Sequence, residues 1–72
     1  MAKKMNQYRV ELFNDYLPIQ GMRSDFQKHP DLESARRWAI ERGEKGGASY
    51  VMLYVKSENK YNRYNYIARI DL

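Results

Sequence analysis

The strongest constraint on the fold of this chain lies in its last third. Two runs, Ser49–Ser57 and Tyr61–Leu72, alternate apolar and polar side chains on either side of a polar break at Glu58-Asn59-Lys60. Alternation with a period of two puts successive side chains on opposite faces of a strand, and two such runs around a short polar break describe a β-hairpin. In the first run Val51, Leu53 and Val55 share a face, with Tyr50, Met52, Tyr54 and Lys56 opposite. In the second, Tyr64, Tyr66, Ala68, Ile70 and Leu72 share the aliphatic face, leaving Tyr61, Arg63, Asn65, Ile67 and Arg69 on the other. A two-residue turn at Glu58-Asn59 pairs Leu53 with Tyr64, and a four-residue turn shifts the pairing by two. Only a one-residue slip would exchange the faces; both faces of the last run contain Tyr, and the inverted parity puts Tyr61 and Ile67 in the core and Tyr64 and Tyr66 at the surface.

Further elements are legible upstream. Met1–Asn6 reads as a flexible leader, and residues 7–72 as a single small domain. Gln7–Phe13 alternates cleanly, with Tyr8, Val10 and Leu12 against Arg9, Glu11 and Phe13, and is expected to be a strand. Asn14-Asp15 signals a turn, and Pro18 excludes a central strand after it. Ile19–Phe26 alternates weakly, as a short edge strand or as a loop pinning Leu17 and Phe26 to the core. Lys28-His29-Pro30-Asp31 marks a helix start, because Pro30 drives His29 from helical angles and Asp31 suits the N-cap. From Leu32 the period is helical. Leu32, Ala35 and Ala39 form an apolar stripe with Trp38 at its margin, placed to cover a sheet edge. Glu33, Arg37 and Glu41 line the solvent side at i, i+4 spacing. Gly43 or Gly46-Gly47 ends the helix.

These elements predict an α+β, two-layer domain: an antiparallel sheet of three or four strands with one helix on one face. The helix covers only the face bearing Tyr8, Val10, Leu12, Val51, Leu53, Val55, Tyr64, Tyr66, Ala68 and Ile70. The other face is expected to expose Arg9 and Phe13 from the first strand. It takes Tyr50, Met52, Tyr54 and Lys56 from the third, and Tyr61, Arg63, Asn65, Ile67 and Arg69 from the last. A patch this aromatic is costly to leave wet, and monomers rarely carry one without a use.

Composition narrows that use. Seventy-two residues make a small domain with marginal stability alone. There is no cysteine and one histidine, which disfavours disulfide staples and thiolate or imidazole metal sites. No cofactor is expected. No apolar stretch reaches a membrane-spanning length, and the start of the chain lacks a signal-like apolar run, so a cytoplasmic protein is expected. His29 lacks a nucleophile with a supporting context, the carboxylates sit in turns or on a solvated helix, and the sequence 43–47 lacks the Gly-Lys-Ser/Thr ending of a phosphate loop. An enzyme is not expected. With seven tyrosines and a net charge of +4, the favoured reading is non-catalytic protein binding through the Tyr/Arg face. That includes self-association into a homodimer, or inhibition of a cellular protein. The alternative is single-stranded RNA or DNA binding by stacking on sheet tyrosines, with Arg and Lys on phosphates. A lesser one is nucleotide capture by a dimer, with Arg63, Arg69 and the Gly46-Gly47 amides holding phosphate. A compact chain rich in Asn, Lys and Tyr also fits a small phage or mobile-element accessory protein acting on a host component.

Overall fold

A computed structural model describes residues 5–14, 24–58 and 63–72 of the chain. Its elements are β1 (Asn6–Phe13), β2 (Ser24–His29), α1 (Leu32–Lys45), β3 (Tyr50–Lys56) and β4 (Tyr64–Asp71). They form an α+β two-layer domain with a four-stranded antiparallel sheet ordered β2-β1-β3-β4. Because β1 is antiparallel to both β2 and β3, those two run the same way. Strands in that relation need a long connection across the sheet, and the helix is that connection. It therefore lies on one face and leaves the other uncovered.

The helix begins as the sequence indicates. Asp31 is extended, and its carboxylate accepts the Ser34 N–H at 2.8 Å. Glu33 in the first turn and Arg42 and Lys45 in the last complement the helix dipole. The helix ends in a Schellman arrangement: the Ala48 N–H donates to the Gly43 carbonyl, and the Gly47 N–H to the Glu44 carbonyl. Gly47, at φ 70°, supplies the left-handed residue this ending requires. Gly46-Gly47, and not Gly43, thus terminates the helix.

The core is formed by Tyr8, Val10 and Leu12 of β1, Val51 and Leu53 of β3, and Ala35 and Ala39 of α1. Register places Val10 opposite Leu53 and Leu12 opposite Val51, so the two central strands share one aliphatic strip. Trp38 packs at its margin, 5.2 Å from the His29 ring, which sits 6.0 Å from Tyr8. It covers the β2 edge as expected from its place on the helix. Arg42 pairs with Asp25 and ties the helix to the same strand. Among the described residues no helix is long and apolar enough to cross a membrane.

Three expectations need correction. Among the described residues the edge strand spans Ser24–His29 and so takes in Lys28-His29, the segment assigned to the helix approach; residues 15–23 lie outside the described residues. β1 takes in Asn6, the last residue of the expected leader, while residues 1–4 also lie outside them. The largest change is in β4. Leu53 faces Ala68 but Tyr54 faces Tyr66, so Ile67 is an extra residue with no opposite number on β3. This bulge is the one-residue slip that exchanges faces. Ala68 and Ile70 stay on the helix side, but Tyr64 and Tyr66 move to the uncovered side. The strand pairing resumes with Lys56 opposite Tyr64, a longer connection than either expected turn; residues 59–62 of it lie outside the described residues.

Gly43 lies on the buried face of the helix. A Cβ there would lie 2.6 Å from both Val51 Cγ1 and Leu72 Cδ1. Gly43→Ala would therefore gain helix propensity but force the helix off the sheet, for a net loss of about 1–3 kcal/mol. Urea denaturation followed by circular dichroism should show the lower midpoint.

Candidate functional site: the uncovered sheet face

Register defines the face. It carries Gln7, Arg9, Glu11 and Phe13 from β1 and Ser24, Phe26 and Lys28 from β2. From β3 come Tyr50, Met52, Tyr54 and Lys56, and from β4 Tyr64, Tyr66, Arg69 and Asp71. Of the residues expected here, Arg9, Phe13, Tyr50, Met52, Tyr54, Lys56 and Arg69 are brought together. Two are not. Asn65 falls opposite Val55 on the helix side, and Ile67 packs against the core, both because of the bulge. Arg63 precedes β4, its carbonyl accepting the Ser57 N–H at 2.8 Å, and is exposed at the mouth of the hairpin. Tyr61 lies outside the described residues.

Two clusters organise the face. At one end the Phe13 and Tyr50 rings stack with centroids 5.0 Å apart and an interplanar angle of 4°. The Arg69 guanidinium reaches in from β4 to 3.9 Å from the Tyr50 centroid. Tyr50 is thus flanked from both neighbouring strands. Arg69 also pairs with Asp71 at 3.0 Å.

The second cluster centres on Arg9. Its Nη2 donates to Glu11 Oε2 and to Ser24 Oγ, each at 2.9 Å. Its guanidinium carbon lies 5.4 Å from the Tyr54 ring centroid and 6.0 Å from that of Phe26. Tyr54 and Tyr66 meet edge to face at 5.8 Å. Phe26 and Tyr64, from the two edge strands, approach to 5.6 Å, and Gln7 donates to the Tyr64 hydroxyl at 2.9 Å. Rings from opposite edges of the sheet therefore lean over its centre. Phe26 and Tyr66 remain 52% and 57% exposed, enough to make them the apolar groups an incoming partner meets first.

Arg9 and Glu11 occupy the interior of this face, and that has an electrostatic consequence. The Tyr54 hydroxyl is pushed up to about 12, first by hydrogen bonding to the Glu11 carboxylate, then by desolvation and by the Glu11 charge, with Arg9 opposing. The phenol is neutral at any physiological pH and acts as a donor, not a nucleophile. Among the described residues no cluster of His, Cys, Asp and Glu has the arrangement of a metal site. The Gly46 and Gly47 amides, which the nucleotide reading takes as phosphate donors, are engaged with the Arg42 and Glu44 carbonyls.

The favoured reading of the sequence leaves Phe26, Tyr64 and Tyr66 off this face, although the inverted parity of the last run has Tyr64 and Tyr66 at the surface and Ile67 in the core; it places Glu11 on this side of β1 without counting it in the binding surface. For β2 the signal misleads: Phe26 is the one apolar residue of the strand, yet it lies on the uncovered side, while the polar Asp25, Gln27 and His29 lie on the helix side. For β4 one cue existed: Ile67 and Ala68 are adjacent apolar residues that strict alternation cannot place on the same side.

Comparison with known protein families, with curated proteins and with solved structures finds no match for this chain.

The raised Tyr54 group has a direct test. A titration of tyrosinate absorbance should show one phenol ionising near pH 12 in the folded protein, and Tyr54→Phe should remove that late phase. The sign for stability follows from linkage: a folded value above the unfolded one of 10.0 means stability falls as pH rises from about 10 towards 12. Glu11→Gln should bring the late phase down towards the other tyrosines.

Proposed function

We propose that this chain is a non-catalytic protein-binding domain that acts through its uncovered sheet face. The observation that carries the reading is how the cations and rings of the face are used. Arg9 is held by Glu11 and Ser24, Arg69 by Asp71 and by the Tyr50 ring, and Tyr50 is flanked by Phe13 and Arg69. A platform for single-stranded nucleic acid needs open ring faces and cations ready for phosphate. Here Arg9, Arg69 and the Tyr50 ring are engaged within the face, while the exposed Phe26 and Tyr66 offer apolar area to a partner. That is the character of a protein interface, where aromatic and Arg anchors dominate. The partner class includes a second copy of the chain and a cellular protein whose action the domain would block. The cytoplasm is the compartment assigned with this reading.

The test compares two ligands on one surface. Fluorescence anisotropy with single-stranded RNA and DNA at low salt should show no salt-sensitive binding. Protein associated with the chain should persist at ~1 M salt and be lost with Phe26→Ser/Tyr66→Ser, by at least about thirty-fold in affinity if the two rings are anchors. Oligonucleotide binding that falls steeply with salt and disappears in the same double variant would overturn the proposal in favour of nucleic acid.

A further inference from the structure

We infer that the uncovered face takes a second copy of this chain, docked sheet to sheet about a two-fold axis lying across the strands. The inference rests on the protein-binding reading of that face and adds its occupant.

The register sets the face out in rows running across the strands. The first holds Lys28, Gln7, Lys56 and Tyr64; the second Phe26, Arg9, Tyr54 and Tyr66. The third holds Ser24, Glu11, Met52 and Arg69; the last Phe13, Tyr50 and Asp71. The face is therefore polar along the strands. Its lysines stand at one end, and both its carboxylates in the two rows at the other.

That polarity decides between the two isologous dockings open to a sheet face. An axis parallel to the strands lays each row on its own copy and brings the lysine ends together. An axis across the strands reverses the rows while keeping each strand over its own copy. Arg9 then faces the second copy's Glu11, and Tyr64 faces its Asp71. Tyr66 faces its Arg69, and Tyr54 its Met52. Each is a favourable pairing: ion pair, hydroxyl to carboxylate, cation over ring, and sulfur against ring. All occur twice by symmetry. Aligned sheets pack in this way about 10 Å apart, with strands within about 30° of each other.

The area is of the right order. Four strands about 4.8 Å apart and roughly seven residues long present on the order of 450 Å² in flat projection, before side-chain relief is counted. A standard interface takes about 800 Å² of accessible surface from each partner. The chain is also small enough that a second layer on this face would add materially to its thin core.

The experiment is sedimentation equilibrium on the full chain, with circular dichroism melts to confirm that each variant is folded. The wild type should be a dimer. Tyr66→Arg sets a new cation against Arg69 of the second copy and should weaken association at least about ten-fold. Mixing the Tyr66→Arg chain with an Arg69→Glu chain should restore dimers in trans, because the cation introduced in one then faces the carboxylate introduced in the other. Neutralisation within one chain cannot produce that result. The row assignment is overturned if the mixture fails to associate although both variants are folded, or if Tyr66→Arg leaves the dimer intact. A wild type that stays monomeric up to about 1 mM overturns self-association altogether. In that event a different protein that is still lost with Phe26→Ser/Tyr66→Ser leaves the protein-binding reading standing, and no protein on the face removes both.

Discussion

The fold depends on how closely one helix can lie on one sheet. Ala35, Ala39 and Gly43 recur every four residues and are the buried positions of α1. With so little side chain between them, the helix backbone rests almost directly on Val10, Val51 and Leu53, all fully buried. A methyl group at Gly43 would already collide with Val51, and one at Gly46 with Leu12. Close approach makes the packing dense, but it also means that the helix adds little apolar volume of its own. The core is essentially one face of β1 and β3, sealed by a smooth helical surface and bordered by Trp38, Ile67 and Ile70.

A thin core shifts weight onto the opposite face. The stack of Phe13 and Tyr50, the edge contact of Tyr54 with Tyr66 and the contact of Phe26 with Tyr64 link all four strands there. Aromatic pairs of this kind contribute about 0.5–1.5 kcal/mol each beyond the area they bury. Arg9 crosses the same territory between rings and carboxylate. These contacts restrict the rotamers that a binding surface would otherwise have to freeze on association, and such preorganisation lowers the entropic cost of binding. The residues that hold the sheet together from outside are thus also those best prepared to meet a partner.

What the sequence revealed follows the strength of its periods. β1, β3 and α1 carry apolar residues in phase, and their faces, the Asp31 cap and the side of the sheet covered by the helix were readable from that phase alone. β2 was readable only as a weak alternation ending at Phe26, because the segment continues as Gln27-Lys28-His29 with no contrast between its faces. Its position is set instead by pairing with β1, a non-local contact that local pattern cannot carry. The binding face was half readable for the same reason. Its β1 and β3 members inherit their side from the core strip, whereas its β2 and β4 members depend on register.

β4 shows why register could not be inferred from the turn. Its C-terminal half places Ala68 and Ile70 on the helix side opposite Leu53 and Val51, and an unbroken alternation would have put Tyr64 and Tyr66 there as well. Unbroken alternation would have set Tyr66 opposite Val55, the place that Asn65 takes and where it is exposed. The extra residue at Ile67 directs an aliphatic side chain to the core margin and turns Tyr64 and Tyr66 to the uncovered side. The same slip that completes the core with Ile67 brings Tyr66 against Tyr54 and Tyr64 against Phe26. The aromatic continuity of the uncovered face from β3 to the far edge therefore depends on a single inserted position in an edge strand.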